Sequence, residues 1–68
     1  MLEYDYNEED MKHHIKSTLA ISPMSNDDLM NAVDPCRENR LIFYTALRKL
    51  LAENSIYYEV QTMKYHSI

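Results

Sequence analysis

The stretch that decides the fold is RLIFYTALRKLLAENSIYYEV, residues 40–60. Its first part repeats apolar residues at helical spacing, and its last part alternates in the manner of a β-strand. Asn54 stands between the two parts, and asparagine tolerates the left-handed conformation that ends many helices. The stretch therefore predicts a helix that runs almost directly into a strand.

Two segments nearer the N-terminus predict further helices. Asn7 and Ser25 are favourable N-cap residues, and acidic residues follow each of them in what would be the first helical turn. Apolar residues then recur at helical spacing, and prolines separate the segments. The sequence predicts helices over residues 8–20, 26–33 and 37–53.

The residues after Asn54 change to a period of two. Ile56, Tyr58 and Val60 alternate with polar and aromatic residues, which predicts one strand of a hairpin with its turn near residues 61–62. The N-terminal LEYDY, residues 2–6, also alternates, and we interpret it as either an edge strand or a loose segment. The inner faces of these elements predict the core: Ile15, Leu19, Leu29, Phe43, Leu47, Leu50 and Ile56.

Length and composition limit the possible functions. A chain of 68 residues forms one domain at most, so a single domain over residues 1–68 is expected. It has no glycine, which excludes glycine-rich phosphate loops, and one cysteine, which excludes an internal disulfide. No segment of the sequence resembles a signal peptide or a membrane span. These features predict an intracellular protein of the cytoplasm or nucleoid.

Two stretches resemble the winged helix-turn-helix superfamily. PMSNDDLMNAV, residues 23–33, is similar to its second helix, and FYTALRKLLAENSIYYE, residues 43–59, is similar to its recognition helix and first wing strand. The resemblance covers about residues 8–60. It implies a mainly helical α+β fold of three helices with a short C-terminal β-hairpin wing. It also implies DNA binding and transcriptional control, although a substantial minority of winged helices bind only protein.

The resemblance places the outer face of the third helix in the major groove of double-stranded DNA. A helical wheel puts this face opposite the one that carries Phe43 and Leu47. One small acidic module should bind duplex weakly, so we expect two copies or a protein partner. The expected DNA-binding residues are Arg37, Arg40, Tyr44, Thr45, Arg48 and Lys64.

The same helix supports an alternative function. Leu41, Ile42 and Tyr44 widen its apolar surface beyond what one core requires, which indicates a protein interface or dimer contact. Residues 1–36 contain eight acidic and two basic residues, whereas residues 37–68 contain five basic and three acidic. The acidic half is a further candidate for docking on a basic partner. A carboxylate-free basic surface would favour DNA, and interruption by Glu38 or the first helix would favour a protein partner.

No pattern indicates catalysis, a cofactor, a metal or a small-molecule substrate. His13 and His14 are adjacent, and neighbours on a helix do not chelate one metal as residues four apart do. Cys36 and His66 do not have zinc-site spacing. The acidic residues lie in first turns, where helix capping explains them. Cys36 is expected to be a partly buried thiol at the start of the third helix, with redox sensing as the alternative.

Overall fold

The computed structural model describes residues 7–68, in which three helices precede an antiparallel hairpin that we call the wing. This arrangement confirms the predicted α+β fold of three helices and a short wing. The N-terminal LEYDY, for which two interpretations were open, lies outside the described residues. The elements are α1 (Glu8–Ile21), α2 (Asn26–Val33), α3 (Arg40–Ala52), β1 (Ile56–Glu59) and β2 (Lys64–Ser67).

The predicted caps begin the first two helices. The Asn7 Oδ1 atom accepts a hydrogen bond from the backbone N–H of Asp10 at 2.9 Å. The Ser25 Oγ atom accepts one from Asp28 in the same way at 3.2 Å. Both bonds satisfy N–H groups that have no partner within a helix. Both helices therefore begin at the predicted residues. α2 also ends as predicted, and α1 ends at Ile21, one residue later than predicted.

The third helix begins at Arg40, so its predicted start at Arg37 is wrong. Arg37 has φ 59°, a left-handed conformation that no α-helix contains. Asp34 organises this turn from a buried position, with 3% of its surface exposed. Its two carboxylate oxygens lie 3.2 and 3.1 Å from the backbone nitrogen of Asn39, which donates to them. The α2–α3 connection therefore runs on to Asn39, and α3 ends at Ala52 rather than Glu53.

The wing forms where the period-two pattern predicts it. Ile56 pairs with Ser67 and Glu59 pairs with Lys64, and residues 60–63 form the turn around the predicted position. Val60 therefore belongs to the exposed turn rather than to the strand, which corrects the sequence prediction. Asn54 has φ 63°, so it adopts the left-handed conformation expected after α3.

A single β-bridge ties the segment before α2 to the wing. The Met24 N–H donates to the Tyr65 carbonyl at 3.2 Å, and the Tyr65 N–H donates to the Met24 carbonyl at 2.7 Å. No pattern in the sequence predicts this contact, because one extended residue between a proline and a serine produces no periodicity. β2 therefore lies between β1 on one side and the extended residue Met24 on the other.

The predicted core is confirmed, because all seven residues are buried. They join α1, α2, α3 and β1 in one cluster. Packing at its edge involves partly buried side chains, among them Ile42 and Tyr65. The cluster is completed by Met11, Met30, Val33 and Ala46.

No helix within residues 7–68 is both long and apolar enough to cross a membrane.

Two ion pairs join α1 to α3 outside this core. The Lys12 Nζ atom lies 2.7 Å from Glu53 Oε2 and 3.9 Å from Glu9 Oε2. Lys49 pairs with Glu8. The acidic start of α1 therefore lies beside α3, and part of its negative charge is neutralised there.

Candidate nucleic-acid and protein interface

The surface of α3 that faces away from the core carries most of the candidate residues. Phe43, Ala46, Leu47 and Leu50 point inward and are buried. The opposite surface, which we call the outer face, is exposed. Leu41 leaves 83% of its surface accessible. The outer face consists of Arg40, Leu41, Tyr44, Thr45 and Arg48, all of them exposed.

A cleft of about 240 Å³ separates α3 from the wing. Tyr44 and Arg48 line it from α3, and Tyr65 lines it from β2, over an apolar floor of Leu47 and Leu51. Among residues 7–68, no carboxylate lines this α3–wing cleft. It therefore presents one guanidinium and two phenols, which are hydrogen-bond donors suited to an anion.

The hydroxyl groups of both tyrosines carry a proton that can be donated. The Asn26 side-chain amide donates a hydrogen bond to the Tyr44 hydroxyl oxygen at 3.2 Å. Because this bond uses a lone pair of the oxygen, the Tyr44 O–H remains available as a donor. The Tyr65 phenol is protonated at neutral pH, as an ordinary tyrosine is, and burial raises its pKa further. Sequence reasoning missed Asn26 and Tyr65, because neither belongs to the α3 pattern.

Arg37 and Arg40 lie apart from this cleft. They line a shallow hollow of about 370 Å³ at the start of α3, together with Glu38. Arg37 belongs to the turn rather than to the helix, and its Nη1 atom donates to the Pro35 carbonyl at 3.2 Å. The expectation that Arg37 lies on the outer face of α3 is therefore wrong, because the helix starts three residues later.

Thr45, Leu41 and Ile42 lie beside Glu8, at the acidic start of α1. Leu41, Ile42, Thr45 and Glu8 line a hollow of about 140 Å³. Ile42 is only partly exposed and packs against the core, so Leu41 provides most of the exposed apolar surface here. Glu8 carries its negative charge into this hollow, but its ion pair with Lys49 balances that charge.

Lys64 stands at the first position of β2 and is exposed. Its cross-strand neighbour is Glu59. Adjacent residues of a strand point to opposite faces, so Lys64 lies on the other face of the wing from Tyr65. The structure therefore brings Tyr44 and Arg48 to one cleft and separates them from Lys64.

The basic residues divide into two groups by their partners. Lys12 and Lys49 make ion pairs with carboxylates of α1 or with Glu53, the residue after α3. The remaining five form no ion pair with any carboxylate of residues 7–68, and all five are exposed. These unpaired cations are Lys16, Arg37, Arg40, Arg48 and Lys64.

Within residues 7–68, no three His, Cys, Asp or Glu side chains come close enough to hold a metal ion. Cys36 is exposed and lies four residues before α3, so the expected partly buried thiol at the helix start is wrong. His66 stacks on Tyr57 with ring centroids 5.0 Å apart, as a packing residue of the wing.

Alkaline pH should weaken this fold through Lys12 and Tyr65. The hydrogen bond to Glu53 raises the pKa of Lys12, and burial raises the pKa of Tyr65. Both groups hold their protons more tightly when folded, so their stabilisation is complete below the unfolded pKa values and is lost as pH rises through the folded values. The melting temperature should therefore fall above about pH 10. Thermal melts of Lys12→Met and Tyr65→Phe should each show a shallower fall, and slopes equal to the wild type would contradict this cause.

Comparison with known proteins finds no family model, no curated protein and no solved structure that matches this chain.

Proposed function

We propose that this protein is a winged-helix DNA-binding regulator that contacts double-stranded DNA with α3 and the wing. The observation that carries the proposal is the distribution of unpaired cations. Four of the five belong to the turn before α3, to α3 itself or to the wing: Arg37, Arg40, Arg48 and Lys64. Cations that no carboxylate neutralises are available to phosphates, although Glu38 lies beside Arg37 and Arg40, and Lys64 lies on the face of the wing opposite Tyr65.

The α3–wing cleft supports a role in holding the DNA backbone. Arg48 provides a charged donor there, and Tyr44 and Tyr65 provide neutral ones. Phosphate contacts of this kind orient a helix in the groove, while base-edge contacts supply the specificity. In this arrangement Arg40 and Thr45, further along the outer face, are the candidates for contact with base edges.

The charge balance makes the binding of one copy weak. The whole chain has a formal net charge of −4, and Glu38 lies between Arg37 and Arg40. With three or four phosphate contacts, nonspecific affinity should be on the order of 10⁻⁴ M or weaker at physiological salt. Specific binding would require two copies on half-sites about one helical turn apart.

Removal of Arg48 tests the proposal, and Lys16 provides a matched control. Both are exposed cations without an ion pair to residues 7–68, but Lys16 lies on α1. Fluorescence anisotropy with a random duplex at about 50 mM salt should show roughly tenfold weaker binding for Arg48→Ala, with a smaller salt dependence. Lys16→Ala should bind like the wild type. Equal effects of the two variants, or no binding by the wild type, would refute DNA binding through α3.

A second candidate function is a protein-interaction module without DNA binding. The exposure of Leu41 favours it, because a leucine that contacts no partner leaves apolar surface in water. Glu8 and Glu38 flank this leucine, so a partner with an apolar pocket and a basic rim would match. Leu41→Asp should then abolish partner recovery in a pull-down, whereas Arg48→Ala should affect it little. The opposite ranking would favour DNA.

A further inference from the structure

The α3–wing cleft has an apolar part that the binding of a phosphate would not use. Leu47 and Leu51 form its floor, and the rings of Tyr44 and Tyr65 line it from α3 and from β2. A phosphate group needs hydrogen-bond partners for its oxygens, which leucine side chains cannot supply. The cleft therefore fits a ligand that has an apolar body as well as a charge.

Contacts outside the cleft hold both tyrosine rings in place. The Tyr44 ring lies edge-on to Phe43 with centroids 5.0 Å apart, and its hydroxyl oxygen accepts a hydrogen bond from Asn26. The Tyr65 ring packs against the Tyr58 ring with centroids 4.8 Å apart. A ligand that binds between walls that are already ordered loses less affinity to the ordering of side chains.

Charge and size define the class of ligand. Among residues 7–68, Arg48 is the one cation that lines the cleft, and it makes no ion pair with a carboxylate. A guanidinium pairs with a carboxylate through two parallel hydrogen bonds. The cleft volume of about 240 Å³ is below the range of about 300–1,000 Å³ that drug-sized ligands occupy. These properties match a ligand with one negative charge and about one ring.

We propose that the α3–wing cleft binds a small aromatic monocarboxylate. The carboxylate pairs with the Arg48 guanidinium, and the ring packs on the leucine floor against Tyr44 and Tyr65. Aromatic rings attract each other in offset or edge-to-face contacts, at centroid distances of about 4.5–7 Å. A carboxylate is preferred over a neutral amide, because only the anion balances the charge of Arg48.

Occupation of the cleft by this ligand regulates DNA binding. Arg48 is also the cation assigned to the DNA backbone, so the ligand and the duplex compete for one guanidinium. This regulation rests on the proposed function, whereas the binding of the ligand does not.

Phenylacetate is the probe for the cleft, and phenylacetamide is its neutral counterpart with the same ring. A ligand of about ten non-hydrogen atoms should bind with a Kd on the order of 1 mM. NMR spectra of the backbone amides, recorded at constant ionic strength, should show saturable shifts near residues 47–51 and Tyr65. Phenylacetamide should bind at least about tenfold more weakly. No saturable shift with phenylacetate, or equal affinity for the two ligands, would overturn the proposal.

Arg48→Gln tests the role of the charge, and Lys16→Gln is the matched control. Each variant loses one exposed, unpaired cation, but Lys16 lies on α1 and does not line the cleft. Phenylacetate should bind Arg48→Gln at least about tenfold more weakly than the wild type and should bind Lys16→Gln equally well. Equal losses in the two variants would overturn the proposal. Inorganic phosphate that binds the wild type as tightly as phenylacetate would also overturn it, because the apolar floor would then contribute nothing.

Competition tests the regulation separately, because the titrations above contain no DNA. Phenylacetate at about 10 mM, ten times the expected Kd, should weaken duplex binding in fluorescence anisotropy roughly tenfold at constant ionic strength. Phenylacetamide should weaken it about twofold at most. Unchanged duplex affinity in phenylacetate would overturn the regulation. A wild type that binds phenylacetate but no duplex would refute the proposed function and support the ligand site.

Discussion

Replacing Phe43 with alanine is expected to lower the free energy of unfolding by about 3–5 kcal/mol. Phe43 is the largest of the fully buried side chains, and its ring lies edge-on to Tyr44 with centroids 5.0 Å apart. The substitution would remove apolar contacts and leave a cavity among α1, α2 and α3. Domains of this size are marginally stable, with total stabilities often near 5 kcal/mol, so the variant should be largely unfolded.

Urea unfolding followed by circular dichroism measures this effect, and Leu41→Ala is the matched control on the same helix. Leu41 is exposed, so its truncation should change the unfolding free energy by no more than about 0.5 kcal/mol. If Phe43→Ala unfolded at the wild-type urea midpoint, the described core would be wrong.

Replacing Asp34 with alanine should cost about 1–3 kcal/mol, which is large for a polar side chain. The buried carboxylate receives the Asn39 N–H, and Asn39 caps α3 without a side-chain hydrogen bond of its own. Alanine would leave this N–H without its partner at the start of the helix. The negative charge of Asp34 also lies at the positive end of the α3 dipole.

The isosteric variant Asp34→Asn separates the hydrogen bond from the charge. It keeps one carbonyl oxygen for the Asn39 N–H, so chemical denaturation should place its stability between those of the wild type and Asp34→Ala. A gain in stability for Asp34→Asn would mean that burial of the charge outweighs its favourable contacts. In that case the role assigned to Asp34 would be incorrect.

Local patterns in the sequence were sufficient for the order of the helices and strands and for the seven predicted core residues. Asn7 and Ser25 cap helices because their oxygens reach N–H groups three residues away, a contact within one turn. Asn54 ends α3 because it tolerates positive φ. The buried positions of α3 and β1 follow from periods of 3.6 and two residues. Each of these features depends on neighbours in the chain.

Contacts outside the periodic patterns decided the candidate site. The sequence predicted Arg37 on α3, but the Asn39 N–H donates to the Asp34 carboxylate within a turn, and the helix begins only at Arg40. Such a bond between a side chain and the backbone five residues away leaves no trace in hydrophobic periodicity.

The α3–wing cleft depends on tertiary packing to a greater extent than the start of α3 does. The sequence predicted Tyr44 and Arg48 from the outer face of α3, but only the packing of the wing brings Tyr65 beside them. The Met24–Tyr65 bridge holds β2 in that position. The sequence by itself determined which residues each helix and strand buries, because that depends on local period. The fold alone decided which exposed residues meet, because that depends on where distant elements pack.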